Sequence, residues 1–198
     1  MIPADKSQLE SWFETAVGNA SSSSKVINVR VYGSGDFKTV TDAINSIPSG
    51  NKERVVVSIG PGNYTKKITI GKDKPFITLL GDLDNMPVLV FNGTAKTYGT
   101  IDSATLIADA ANFYGVNLKN SAPRPDEKRE GAQVVAVRVG GDALAFYNCK
   151  FYGFQDTVCD YRGRRFFKDC YIEGTIDFIF GRGKSIYLNT EIHVIPGD

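Results

Sequence analysis

The chain has 198 residues, 23 of them basic and 22 acidic. That length is enough to bury a core within one domain, and the near-cancellation of charge excludes the basic footprint of a nucleic-acid binder while leaving room for local patches that hold a polyanion. Three cysteines, Cys149, Cys159 and Cys170, are too few and odd in number for a disulfide scaffold, and no apolar run approaches the ~18 residues of a membrane span.

The first element expected is an amphipathic helix. Leu9, Trp12, Phe13, Ala16 and Val17 fall at helical spacing, with Asp5 or Ser7 available as a cap. The polar run 19–24 ends it, so residues 1–24 read as an N-terminal helix and linker and 25–198 as the main domain. Residues 1–8 lack the layout of a signal peptide, whereas N-x-S/T sequons at Asn19, Asn63 and Asn92 are compatible with secretion. Ile27, Val29 and Val31 then alternate as a strand. Val40, Ala43, Ile44 and Ile47 form the stripe of a second short helix, stopped at Pro48.

From there the pattern changes to brief strands over 55–59, 68–70, 77–80, 88–91, 105–108 and 113–118. Sandwiches, barrels and solenoids all fit such spacing, so a repeat decides. Phe146-Tyr147-Asn148-Cys149-Lys150-Phe151 is echoed by Phe167-Lys168-Asp169-Cys170-Tyr171-Ile172, 21 residues on. The theme returns around Tyr187-Leu188-Asn189-Thr190 and is anticipated at Tyr114-Gly115-Val116-Asn117, across an insertion at 121–130. A repeat of short strands without a helical segment suits the coil of a parallel β-helix, and equivalent residues of successive coils then lie about 4.8 Å apart.

Asp156 and Asp177 are also 21 apart, which puts them side by side. Two such carboxylates cannot both ionise at ordinary pH, so one is pushed toward the protonated form and the pair supplies an acid and a nucleophile. Turn aspartates would look the same from spacing alone. Gln155 precedes Asp156, and Gln133 lies 22 residues before Gln155. Two side-chain amides make an oxyanion hole for an attacked ester carbonyl. His193, the only histidine, has no partners for a Ser-His-Asp or Cys-His site and reads as a surface strand residue. Cys149 and Cys170 read either as a bridge or as two reduced thiols in a core ladder. Arg162, Arg164 and Arg165 either favour an acidic polysaccharide or occupy an exposed loop.

The segments Gln133-Val134-Val135-Ala136-Val137, Gly153-Phe154-Gln155-Asp156-Thr157 and Asp177-Phe178-Ile179-Phe180-Gly181 resemble motifs of plant pectin methylesterases in order and spacing, as do Gly33-Ser34-Gly35-Asp36-Phe37 and Ser103-Ala104-Thr105. The resemblance implies an all-β, right-handed parallel β-helix. It also implies hydrolysis of the methyl esters of homogalacturonan to pectate and methanol, with Asp177 as nucleophile, Asp156 as general acid and base, Gln133 and Gln155 as oxyanion donors and Phe180 lining the sugar cleft. It implies no metal and no organic cofactor. The implied partners are methyl-esterified homogalacturonan and, as a candidate, a proteinaceous inhibitor of the family, with neither nucleic acid nor membrane; the implied location is secreted, in the plant cell wall. Lys66 stands where many members have Glu, and Cys159 where an aromatic often lines the cleft. No match to the family's LGRPW segment, whose arginine pairs with the nucleophile, precedes Asp198, so the 198-residue chain alone is expected to have little esterase activity. The alternative reading is a catalytically weak or inactive fragment that binds pectin or serves as an antigen. A third, glycosidic hydrolysis or lysis by another β-helix pectin enzyme, would leave new reducing ends or unsaturated products.

Overall fold

In the computed structural model, which describes residues 25–123 and 130–197, the strands lie in three parallel sheets. The seven-stranded sheet runs β1 (Lys25–Val29), β2 (Val55–Ile59), β5 (Ile77–Gly81), β8 (Tyr114–Val116), β11 (Leu144–Tyr147), β14 (Arg164–Lys168) and β17 (Lys184–Leu188). The six-stranded sheet holds β3 (Asn63–Tyr64), β6 (Val88–Val90), β9 (Lys119–Ser121), β12 (Lys150–Tyr152), β15 (Tyr171–Gly174) and β18 (Glu191–Val194), and the five-stranded sheet holds β4 (Ile68–Ile70), β7 (Leu106–Ala108), β10 (Val137–Val139), β13 (Val158–Asp160) and β16 (Ile179–Gly181). The chain visits the three sheets in turn and each strand pairs with its counterpart one coil away. This is the parallel β-helix expected from the repeat.

The register carries the period. Ala145 faces Phe166, Lys150 faces Tyr171 and Val158 faces Ile179, each a step of 21 residues. One coil earlier Tyr114 faces Ala145, a step of 31; the ten extra residues are the insertion at 121–130. Alternation within each strand sends one residue inward and the next outward. Inward, Phe146, Phe167 and Tyr187 stack at centroid spacings of 5.2 and 4.8 Å with nearly parallel rings. The position facing Phe146 on the preceding coil is Gly115, where a Cβ would come within 2.7 Å of the Phe146 ring. Cys149 and Cys170 are buried free thiols, and burial pushes both up, Cys170 to about 12, so the reduced ladder is the reading the structure takes. The helix Val40–Ser46, capped by Thr39 Oγ1 on the Asp42 N–H at 3.1 Å, buries Val40, Ala43 and Ile44 in the same core.

Asparagine and aspartate make the corners. Asn117, Asn148, Asp169 and Asn189 all sit at φ between 49° and 53°, a left-handed conformation these short polar side chains tolerate. They also bond along the stack, Asn148 Nδ2 donating to Asn117 Oδ1 at 2.9 Å and Asn189 Nδ2 to Asp169 Oδ1 at 2.7 Å. The single strand expected over 113–118 is broken for this reason, since the chain leaves the seven-stranded sheet at Asn117 and enters the next at Lys119. The expected helix in residues 1–24 lies outside the described residues. His193 is on β18 with half its side chain exposed. Arg165 differs from the exposed-loop expectation. It lies on β14 at 1% exposure, ion-paired through Nε with Asp160 Oδ1 at 3.0 Å and donating from Nη2 to the Val139 carbonyl, whereas Arg164 beside it is exposed and pairs with Asp142.

Candidate active site

Asp156 and Asp177 occupy equivalent turns of adjacent coils, each two residues before its strand of the five-stranded sheet. Both have positive φ, 66° and 49°. The turns are latched together: the Asp156 N–H donates to the Ile176 carbonyl at 3.3 Å, Val158 N–H to Phe178 at 2.8 Å and Thr175 N–H to Phe154 at 2.7 Å, while Thr157 Oγ1 donates to the Glu173 carbonyl at 2.7 Å. Gly153 is needed there, because a Cβ would lie 2.3 Å from Thr157 Oγ1. The two aspartates nonetheless differ. Asp156 is 7% exposed and its carboxyl is pushed up to about 6, first by burial and then by the charge of Asp177; Asp177 is exposed. Among the described residues no cation pairs with the Asp177 carboxylate.

Gln155, half-buried, adjoins Asp156 on the same turn. Gln133 is half-buried on the irregular segment before β10, one residue out of the strand register with Gln155, because that register steps by 21. Its Nε2 donates to Thr100 Oγ1 at 3.5 Å and its carbonyl accepts from the Ala95 N–H at 3.0 Å, so it forms a wall of a hollow shared with Lys96, Thr100 and Glu130. Phe180 is outward on β16. The register places it at the end of a row across the sheet's outer face, Thr69, Ile107, Arg138, Cys159 and Phe180, where it packs against the apolar cluster that includes its neighbour Cys159. Cys159 is 1% exposed, with its thiol pushed up to about 11 by burial.

Arg138 is the residue the sequence reading missed. It stands at the centre of that row, paired at 2.5 Å with both Asp102 and Asp109. Its signal was a charge in the outward position between two inward valines, Val137 and Val139, which marks a face with a purpose. Lys67 lies nearby, donating to the Asp102 carbonyl at 2.5 Å with its ammonium 5.0 Å from the Tyr98 ring centre; burial lowers its pKa against the pull of Asp102. The cleft face thus combines an apolar floor, a cation held by two carboxylates and, at one end, an acid beside an exposed carboxylate. Such a set suits nucleophilic attack with proton transfer. Among the described residues no group of three or more His, Cys, Asp or Glu side chains could hold a metal ion, and no helix is long and apolar enough to cross a membrane.

A family model described as Pectinesterase matches residues 26–197. A protein named Pectinesterase 2 from Olea europaea is 55% identical over a 214-residue alignment that takes in 100% of this chain and 59% of that protein. Among solved structures, the pectin methylesterase from carrot superposes with a TM-score of 0.80 at 32% identity, covering 89% of this chain and 55% of its own. A pectin methylesterase in complex with a hexasaccharide superposes at 0.74 with 29% identity, covering 84% and 54%. The chain therefore spans a little over half the length of the relatives it matches.

Proposed function

The chain belongs to the pectinesterase family, and from that membership we propose that it contributes the catalytic carboxylates of an enzyme that hydrolyses the methyl esters of homogalacturonan. The observation that carries the proposal is the asymmetry of the pair: an exposed Asp177 beside a buried Asp156 whose carboxyl holds its proton to about pH 6. In the proposed reaction an Asp177 carboxylate oxygen attacks the ester carbonyl carbon, and the Gln133 and Gln155 amides stabilise the oxyanion. The carbon–methoxy bond breaks, Asp156 gives its proton to the leaving oxygen, and methanol departs from an acyl anhydride on Asp177. Asp156, now a carboxylate, takes a proton from water as that water attacks the anhydride carbonyl, which restores both groups and frees the galacturonate. Phe180 lines the sugar site. The hexasaccharide bound by a structural relative supports an oligosaccharide substrate, and the plant relatives support a cell-wall location.

The test is methanol release from methyl-esterified polygalacturonate, with reducing ends and unsaturated products followed in parallel. Methanol without chain cleavage, lost in Asp177→Asn, is the expected result; cleavage of the glycosidic bond, or methanol release unchanged in that variant, overturns the proposal. A second reading, binding without turnover by this chain alone, is favoured by one specific observation, the lack of a cation beside Asp177 among the described residues. A cationic partner is what keeps such a carboxylate ionised next to an acid. Retention of the polymer with no methanol formed would select it.

A further inference from the structure

The segment leading into the helix Val40–Ser46 and the strands β3 and β4 enclose a pocket of about 200 Å³ that shares no residue with the candidate active site. Its floor is apolar, formed by Val31, Val40, Tyr64 and Ile68. The floor is also fixed. The Tyr64 hydroxyl donates to the Gly60 carbonyl at 3.0 Å, and Gly62, at φ 136°, lets the turn approach so closely that a Cβ there would lie 3.2 Å from Val31 Cγ2. Thr41 Oγ1 donates to the Lys67 carbonyl at 3.0 Å and ties the helix to the chain entering β4.

The rim is cationic. Lys38 and Lys66, both exposed, line the pocket and no acidic residue does. Lys38 donates one of its three ammonium protons to the Gly33 carbonyl, at 2.5 Å, and keeps the others for a ligand. Asp42, the carboxylate close by in sequence, is engaged by Thr39 Oγ1 at 2.5 Å. Among the described residues neither ammonium has a carboxylate partner. Asn63 and Thr65, exposed on the same wall, add an amide and a hydroxyl. Paired cations, neutral hydrogen-bonding groups and an apolar floor together match a hydroxylated ring that bears a carboxylate. An inorganic anion would leave the floor unused, and a fatty acid would leave the amide and the hydroxyl unused.

We propose that this pocket binds one uronate unit, its carboxylate between Lys38 and Lys66, its ring over Val31 and Tyr64, and its hydroxyls on Asn63 and Thr65. Residue 66 decides the charge. Many members of the family have Glu there, and a glutamate would neutralise Lys38 and repel the ligand, so the site belongs to this chain's lysine and not to the fold. The register gives its place on the molecule. Ile68 lines up through Leu106 and Val137 with Val158, so Lys66 and Asp156, each two residues earlier, occupy equivalent turns three strand intervals apart, about 14 Å. A uronate held here is too far from the carboxylate pair to react, and the site binds without turnover. The inference stands apart from the esterase reading, because no group of the pocket takes part in that reaction.

The probe is galacturonate, titrated by calorimetry into the whole chain produced in bacteria, where the Asn63 sequon stays unmodified, with galactose and acetate titrated alongside. Galacturonate is expected to bind at least about tenfold more tightly than either, since galactose lacks the charge and acetate lacks the ring. Lys66→Glu and Lys38→Gln should each weaken it by at least about tenfold, and Lys184→Glu, on β17, should leave it unchanged. Galacturonate bound no better than acetate shows an anion patch only and overturns the proposal. Affinity unmoved by both lysine substitutions puts the uronate in the cleft and likewise overturns it. Asp177→Asn, which tests the esterase reading, should leave this binding unchanged, so the two readings can fail separately; loss of galacturonate binding in that variant counts against the pocket. Should Lys66→Glu fail to fold by far-ultraviolet circular dichroism, Lys66→Gln replaces it with the same expectation.

Discussion

The outward faces of the five-stranded and seven-stranded sheets come from the same coils and obey the same alternation, yet they carry opposite chemistry. On the first, the row through Ile107, Arg138, Cys159 and Phe180 places a charge at its centre and leads to an exposed carboxylate. On the second, Val56, Ala145 and Phe166 are buried and apolar. Coil stacking supplies the core and does not specify the outside; each face is free to be spent on recognition or on packing, and substitution should tell them apart.

The largest effect expected is on the first face. Asp177→Asn should lower methanol release by about 10⁴-fold while thermal unfolding stays near the parent value. A comparable fall in stability would mean that the cleft face is structural too. Next comes Phe166→Ala on the second face, which should cost about 3 to 5 kcal/mol in denaturant unfolding, the range for emptying a buried aromatic site, and leave kcat little changed in the fraction still folded. A smaller effect with inverted sign is expected at Asp156. Its folded pKa is raised from 3.8 to about 6, so the folded state holds a proton that the unfolded chain has released. Below about pH 4 both states are protonated and nothing is lost; stability falls as pH rises through the window from about 4 to about 6, and the penalty persists above it. Asp156→Asn should therefore gain up to about 3 kcal/mol at neutral pH, gain much less near pH 4, and lose activity by about 10² to 10⁴-fold. Equal unfolding free energies at pH 7 would show that burial does not strain this carboxylate. The smallest effect belongs to neither face. Arg164 and Asp142 form an exposed pair that holds the Asp142 carboxyl down to about 2. Its contribution is present above about pH 4 and fades as pH falls toward 2, and Arg164→Ala should move the urea midpoint at neutral pH only slightly, because solvent screens an exposed pair.

Much of the architecture is legible in the sequence because stacking forces periodicity. The 21-residue echo around Cys149 and Cys170 is the observed register, and the insertion at 121–130 accounts for the coil that steps by 31. The neighbourhood of Asp156 and Asp177 follows from the same count. Three-residue strands are less legible, since β9 begins only two residues after the corner at Asn117 and nothing in a hydrophobicity pattern marks a left-handed residue inside an apolar run. The partners of Arg138 were illegible for another reason: Asp102 and Asp109 lie 36 and 29 residues away, on the turns flanking the preceding strand of the sheet, and charge pairing across coils depends on side-chain reach that spacing does not encode. Arg165 shows the reverse error. Three arginines in four residues read as a solvated loop, yet strand alternation turns one of them inward, where Asp160 and two backbone carbonyls receive it.

The positive φ of Asp156 and Asp177 narrows the choice of acid at both positions. Among carboxylates, aspartate tolerates such a turn better than glutamate does, because its short side chain bonds locally to the backbone and relieves the crowding that a longer chain would keep. A glutamate there would meet the same crowding without the local bond that relieves it. The corner thus acts as a filter on the genetic alphabet: aspartate and asparagine are admitted with ease, and only one of these carries a negative charge.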